Sequence, residues 1–156
     1  MAKRAEPTVH IDVNRAQPVS LATAELPAAV TTGEAQPYAD WLLQQLGEEG
    51  LTSTCDHADI QTVAAACGIG ARVLLSNGAV QGGEELLLCI HTMTPGMKRL
   101  TVYRIDAARR WRGGKLMPME VRETPDREGR HEQQLFLPAQ STALICIDPV
   151  FVRAQG

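Results

Sequence analysis

Hydrolysis by a pair of acids needs two carboxylates about 5–10 Å apart across a cleft. The adjacent acids of this chain, Glu48–Glu49 and Glu84–Glu85, fall at the ends of patterned segments. Neighbours in sequence point in different directions, so both pairs read as solvated surface. The run Cys55-Asp56-His57-Ala58-Asp59 has the residue types of a triad or a metal fragment. A nucleophilic cysteine needs its base across space and a site that lowers its pKa. A polar connector supplies neither, and Asp56 and Asp59 read instead as turn caps or the start of a strand. The four histidines, His10, His57, His91 and His131, are scattered. The four cysteines, Cys55, Cys67, Cys89 and Cys146, form no CxxC pair and stand at no zinc spacing from a histidine pair. The expectation is no catalytic residue, no metal site and no cofactor.

Binding chemistry has a better candidate in Arg109-Arg110-Trp111-Arg112. An aromatic ring flanked by guanidinium groups stacks on a sugar face or a base, and Tyr103 would supply a second ring. The competing reading makes Trp111 an apolar anchor at the edge of a sheet, with Arg110 and Arg112 in solvent. Cys89 and Cys146 sit inside apolar runs, where a thiol acts as a small hydrophobe. Such usage fits a reducing compartment, and a cytoplasmic location is expected.

These residues are carried by a regular series of short segments. Seven candidate strands follow one another: Ile60–Ala65, Ala71–Ser76, Glu85–His91, Arg99–Ile105, Met119–Glu123, Gln133–Leu137 and Ala143–Ile147. Turn residues separate them, among them Ser76-Asn77-Gly78, where positive φ is tolerated. Leu100 and Val102 alternate with Thr101 and Tyr103, as on a strand with two unlike faces. LLLCI and ALICI are continuously apolar, as in central strands. One helix is expected over Tyr38–Leu46, with Pro37 at its start and Asp40 in its first turn. Tyr38, Trp41, Leu42 and Leu46 give that helix one apolar stripe. The following segment, EEGLTSTCDHAD, reads as a polar connector.

The fold class is mainly β, an antiparallel β-sandwich with one N-terminal helix. Residues 1–36 read as a partly ordered extension or linker, within which Val9–Val13 and Val19–Ala24 are short strand candidates. Residues 37–50 form the helix, and 51–156 the sandwich. The predicted core is Leu74, Leu87, Ile90, Val102, Ile105, Leu135, Leu137, Leu144 and Ile147, with Trp41 and Leu42 docked on it. Fifteen Lys and Arg against eighteen Asp and Glu leave a net charge of −3, which excludes a global basic field for nucleic acid. The first eighteen residues have no apolar stretch of a secretory signal, and the longest weakly charged run is broken by glycines and Arg72. No membrane association is expected.

Several motifs occur in a fixed order. Pro37 and Tyr38 precede Leu42, Leu43 and Leu46; Arg72–Asn77 reads RVLLSN; Tyr103–Asp106 reads YRID. Trp111, Gly114 and Pro118 follow, and then Leu137–Ser141, LPAQS, leading into Leu144–Ile147. This succession resembles the C-terminal part of clan-A retaining glycoside hydrolases of the β-xylosidase and α-L-iduronidase type. The resemblance implies an accessory sandwich together with the last helix of a barrel. In that family the two catalytic glutamates lie upstream, on a (β/α)8 barrel that needs roughly 250 residues. Only 36 residues precede Pro37, so no catalytic residue is carried over. The expected function is a non-catalytic accessory domain, a truncated or split glycosidase fragment. Its partner would be a separate barrel subunit or a second copy. The alternatives are a carbohydrate-binding module built on Trp111, and a small enzyme with an unrecognised site.

Overall fold

The computed structural model describes residues 7–12, 36–46, 49–67, 70–91, 96–105, 111–112, 115–116, 118, 120–126 and 130–150. The strands are β1 (Thr8–Asp12), β2 (Glu49–Cys55), β3 (Ile60–Cys67), β4 (Gly70–Asn77), β5 (Glu84–His91) and β6 (Gly96–Ile105). They continue with β7 (Trp111–Arg112), β8 (Lys115–Leu116), β9 (Glu120–Asp126), β10 (Arg130–Leu137) and β11 (Ser141–Pro149). Among the described residues one helix, α1, spans Gln36–Gln45.

Nine strands hydrogen-bond in the order β10-β5-β1-β2-β3-β4-β11-β6-β9, and β7 pairs with β8 in a separate ribbon. The nine form two sheets that share β2. Glu49–Leu51 pair with Ala64–Ala66 of β3, whereas Thr52–Cys55 pair with β1. Strand β2 therefore turns the corner from one sheet to the other, as strands do at sandwich edges. Among the described strands every ladder is antiparallel except β1–β5, which is parallel.

The interior follows from the alternation. Val9 and Ile11 of β1, Leu86, Leu88 and Ile90 of β5, and Leu137 of β10 face Val73, Leu75, Leu100, Val102, Ala143, Ile145 and Ile147. The opposite face of the second sheet carries Ala65, Leu74, Ile105, Leu144 and Cys146, and there α1 seats Leu42 and Leu46. This explains the unbroken apolar runs. Leu144 faces the helix while Ala143 and Ile145 face the other sheet, so both sides of β11 are covered. Trp41 meets Tyr103 edge-on, with ring centroids 5.0 Å apart at 70°.

Several expectations need correction. The segment beginning at Glu49 is not a connector but strand β2; its polar residues mark a strand with one wet face. The Val9–Val13 strand candidate is present as β1, one residue earlier, and it is an interior strand bonded on both edges. The Val19–Ala24 candidate lies outside the described residues. Leu87 is only half-buried, because Leu86, Leu88 and Ile90 take the inner face of β5. Leu135 is also half-buried, packed on the core's margin. The helix starts two residues early, which removes Asp40 from its first turn. Asn77 is fully buried and works through its side chain, not through positive φ: its amide donates to the Leu137 carbonyl at 3.1 Å and accepts the Ala79 N–H at 3.0 Å. The left-handed backbone positions among the described residues are Gln140, Gly82 and Gly96.

Candidate functional site

The Cys55–Asp59 run forms the turn between β2 and β3. The Asp59 N–H donates to His57 Nδ1 at 3.2 Å, which makes that nitrogen an acceptor. Nε2 lies 3.1 Å from a Glu84 carboxylate oxygen at the start of β5. Asp56 accepts the Thr8 N–H at 2.9 Å, and the Asp59 carbonyl accepts the Gly78 N–H at 2.9 Å. Each polar group thus ties the turn to the end of another strand. Burial pushes the Cys55 thiol above its ordinary pKa, against the lowering effect of hydrogen bonds from the His57 and Asp56 backbone. An activated nucleophile is shifted in the other direction.

Among the described residues, several other carboxylates pair with arginines. Asp148 pairs with Arg72 at 3.0 Å on the helix-bearing face, and Glu123 pairs with Arg99 at 3.0 Å. Glu120 is held by Arg122, and Glu132 by Arg130. Glu84 faces His57, and Glu85 is exposed. Glu48 and the side chain of Glu49 lie outside the described residues.

The aromatic candidates fall in two places. Trp111 and Arg112 form β7, in register with Leu116 and Lys115 of β8; Arg109 and Arg110 lie outside the described residues. Tyr103 stands on the outer face of β6 beneath α1, against Trp41. Burial raises its phenol pKa, reinforced by Cys146 and opposed by Arg72. Its ring contributes to seating the helix.

One juxtaposition is invisible in the sequence. His10 and His91, on the neighbouring strands β1 and β5, bring Nδ1 and Nε2 to 3.1 Å. Their ring centroids are 5.3 Å apart with a 16° interplanar angle. That separation is close to the nitrogen contact plus the two ring radii, so the rings meet edge to edge in nearly one plane. The sequence signal was the alternation in Thr8–Asp12 and Glu84–His91, which puts both rings on the wet face. What it lacked was the parallel pairing of those strands. Cys89 shares that face, and the Arg130 guanidinium donates to its sulfur at 3.8 Å.

No protein-family model matches the chain, and no curated protein matches it in sequence. Solved structures do match. The GH39 enzyme from Xanthomonas axonopodis pv. citri aligns with a TM-score of 0.60 at 14% identity, over 74% of this chain and 30% of that enzyme. A bacterial orthologue of human α-L-iduronidase aligns at 0.61 and 15% identity, over 70% of this chain and 26% of the orthologue. A monomeric β-xylosidase from Caulobacter crescentus CB15 aligns at 0.58 and 15% identity, over 75% of this chain and 31% of the xylosidase. The chain therefore spans about a third or less of the length of these proteins. Identities this low speak for architecture alone: the fold of this chain is that of a part of glycoside hydrolases of the GH39, α-L-iduronidase and β-xylosidase kind.

Proposed function

We propose that the chain is a non-catalytic accessory β-sandwich related to the C-terminal region of those glycoside hydrolases, and that it packs against a catalytic barrel on a separate subunit or against a second copy. The observation that carries this reading is the shape of the match: about three quarters of this chain against under a third of each enzyme. The use made of the carboxylates supports it. Glu84, Asp148, Glu123, Glu120 and Glu132 each lie against a histidine or an arginine. A retaining hydrolase instead sets two carboxyl groups about 5 Å apart to act in concert.

Incubating the purified chain with nitrophenyl xyloside, arabinoside and iduronide tests the reading. No turnover is expected. Turnover that disappears on changing one carboxylate, such as Glu85→Gln, would establish an enzyme instead. Retardation in a polysaccharide gel that is lost with Trp111→Ala would favour a carbohydrate-binding module.

A further inference from the structure

We propose that His10 and His91 form a two-histidine clamp for a borderline divalent transition metal (Cu2+, Ni2+ or Zn2+), which staples strand β1 to strand β5.

The placement comes from the strand register. In the parallel β1–β5 ladder His10 stands beside Cys89, and Asp12 beside His91. His10 thus lies diagonally from His91 on the same outer face, across 81 residues of chain. Inner positions on these strands, Val9, Ile11, Leu88 and Ile90, are fully buried and anchor both backbones. The two imidazoles are therefore presented by a fixed platform.

The nitrogen separation suits a metal. Metal–nitrogen bonds of about 2.0–2.1 Å to two nitrogens held 3.1 Å apart subtend about 100° at the ion, between the square-planar and tetrahedral angles. The nitrogens now point at each other across a shared proton. His10 is exposed, so a modest swing of its ring turns both lone pairs toward a common point while the strands stay in place. On binding, the proton between the rings moves to the far nitrogen of its own imidazole, so that both rings ligate the ion as neutral imidazoles.

The surroundings define the rest of the coordination sphere. The Cys89 thiol is fully buried beneath the Arg130 guanidinium, which also engages Glu132. It is covered, not a third ligand. Among the described residues no set of three or more His, Cys, Asp and Glu side chains converges on one point. Among the described residues the clamp therefore offers two ligands, and water completes the coordination on the exposed His10 side. Imidazole is a borderline donor, so Cu2+ should bind most tightly, with Ni2+ and Zn2+ weaker and Mg2+ and Ca2+ excluded. Because the two strands meet only in the folded protein, the ion binds the native state preferentially and stabilises it by mass action.

The test is a titration of the full chain with Cu2+, Ni2+, Zn2+ and Mg2+ by calorimetry, with melting temperature followed in parallel. The expected result is one Cu2+ per chain, a melting temperature that rises with Cu2+, and no response to Mg2+. His10→Ala and His91→Ala should each weaken Cu2+ binding by at least about tenfold, while His57→Ala leaves it unchanged. Should a variant fail to fold, paramagnetic broadening in the unaltered protein decides: the ring protons of His10 and His91 must broaden first. Failure to bind Cu2+ would overturn the proposal. So would equal binding by all three variants, or earlier broadening of His57 or His131.

Discussion

Leu144 shows how much one side chain depends on both layers it touches. It is fully buried in the cluster beneath α1, and its neighbours Ala143 and Ile145 fill the space between the sheets. Leu144→Ala leaves a cavity that rigid strands on either side of β11 cannot close. The loss of stability should be about 2–5 kcal/mol, read as a lower urea midpoint with an unchanged slope. Cys55 and Tyr103 carry a second residue-scale expectation. Burial raises both pKa values above 9.0 and 10.0, the ordinary thiol and phenol values. For a group whose folded pKa is raised, the contribution to stability is complete below the unfolded value and drains away as pH climbs through the folded one. Stability should hold up to pH 9 and fall above it, and Cys55→Ala with Tyr103→Phe should flatten that fall. A double variant with an equally steep alkaline loss would show that other groups govern it. Cys55 should also react with a disulfide reagent at pH 8 more slowly than a free thiol does.

Among the elements, β1 has consequences out of proportion to its five residues. It sits between β2 and β5, bonded to both, with Val9 and Ile11 fully buried. A chain beginning at Glu34 lacks it. Such a chain exposes facing edges of β2 and β5 and opens the core over Leu88 and Ile90. An uncovered edge with apolar surface behind it recruits another strand. The shortened chain should therefore self-associate or lose its cooperative unfolding, and light scattering against the full chain decides. A monomeric, well-folded short chain would mean that β1 is dispensable. The helix is less exposed to such effects, since Leu42 and, just past its end, Leu46 are deeply buried while Asp40, Gln44 and Gln45 face water.

At the scale of the whole molecule, the strand order sets the folding rate. Neighbours in the sheet are far apart in the chain: Val9 pairs with Cys55 and with Leu88, and Leu144 with Leu74. Loop closure has to precede those contacts, and sandwiches with such non-local pairing refold in about milliseconds to seconds. Stopped-flow tryptophan fluorescence reports this directly, because Trp41 lies against Tyr103. Full recovery of the signal within microseconds would contradict the topology.

The sequence by itself determined where most strands run and which residues they bury. Period-two alternation and turn residues are local signals, and Leu74, Ile90, Val102, Ile105, Leu137, Leu144 and Ile147 are buried as their patterns require. The order of motifs from Pro37 to Ile147 also anticipated the glycoside hydrolase fold that the structural matches display. Pairing was different. Nothing in Thr8–Asp12 says that its partners are β2 and β5, or that one of those pairings is parallel, because backbone hydrogen bonds carry no residue code. The same gap hid β2, whose polar side chains look like a loop until β1 and β3 satisfy its backbone. It also hid the meeting of His10 with His91, which are strangers in sequence and neighbours only because a strand from the start of the chain is threaded into the middle of a sheet.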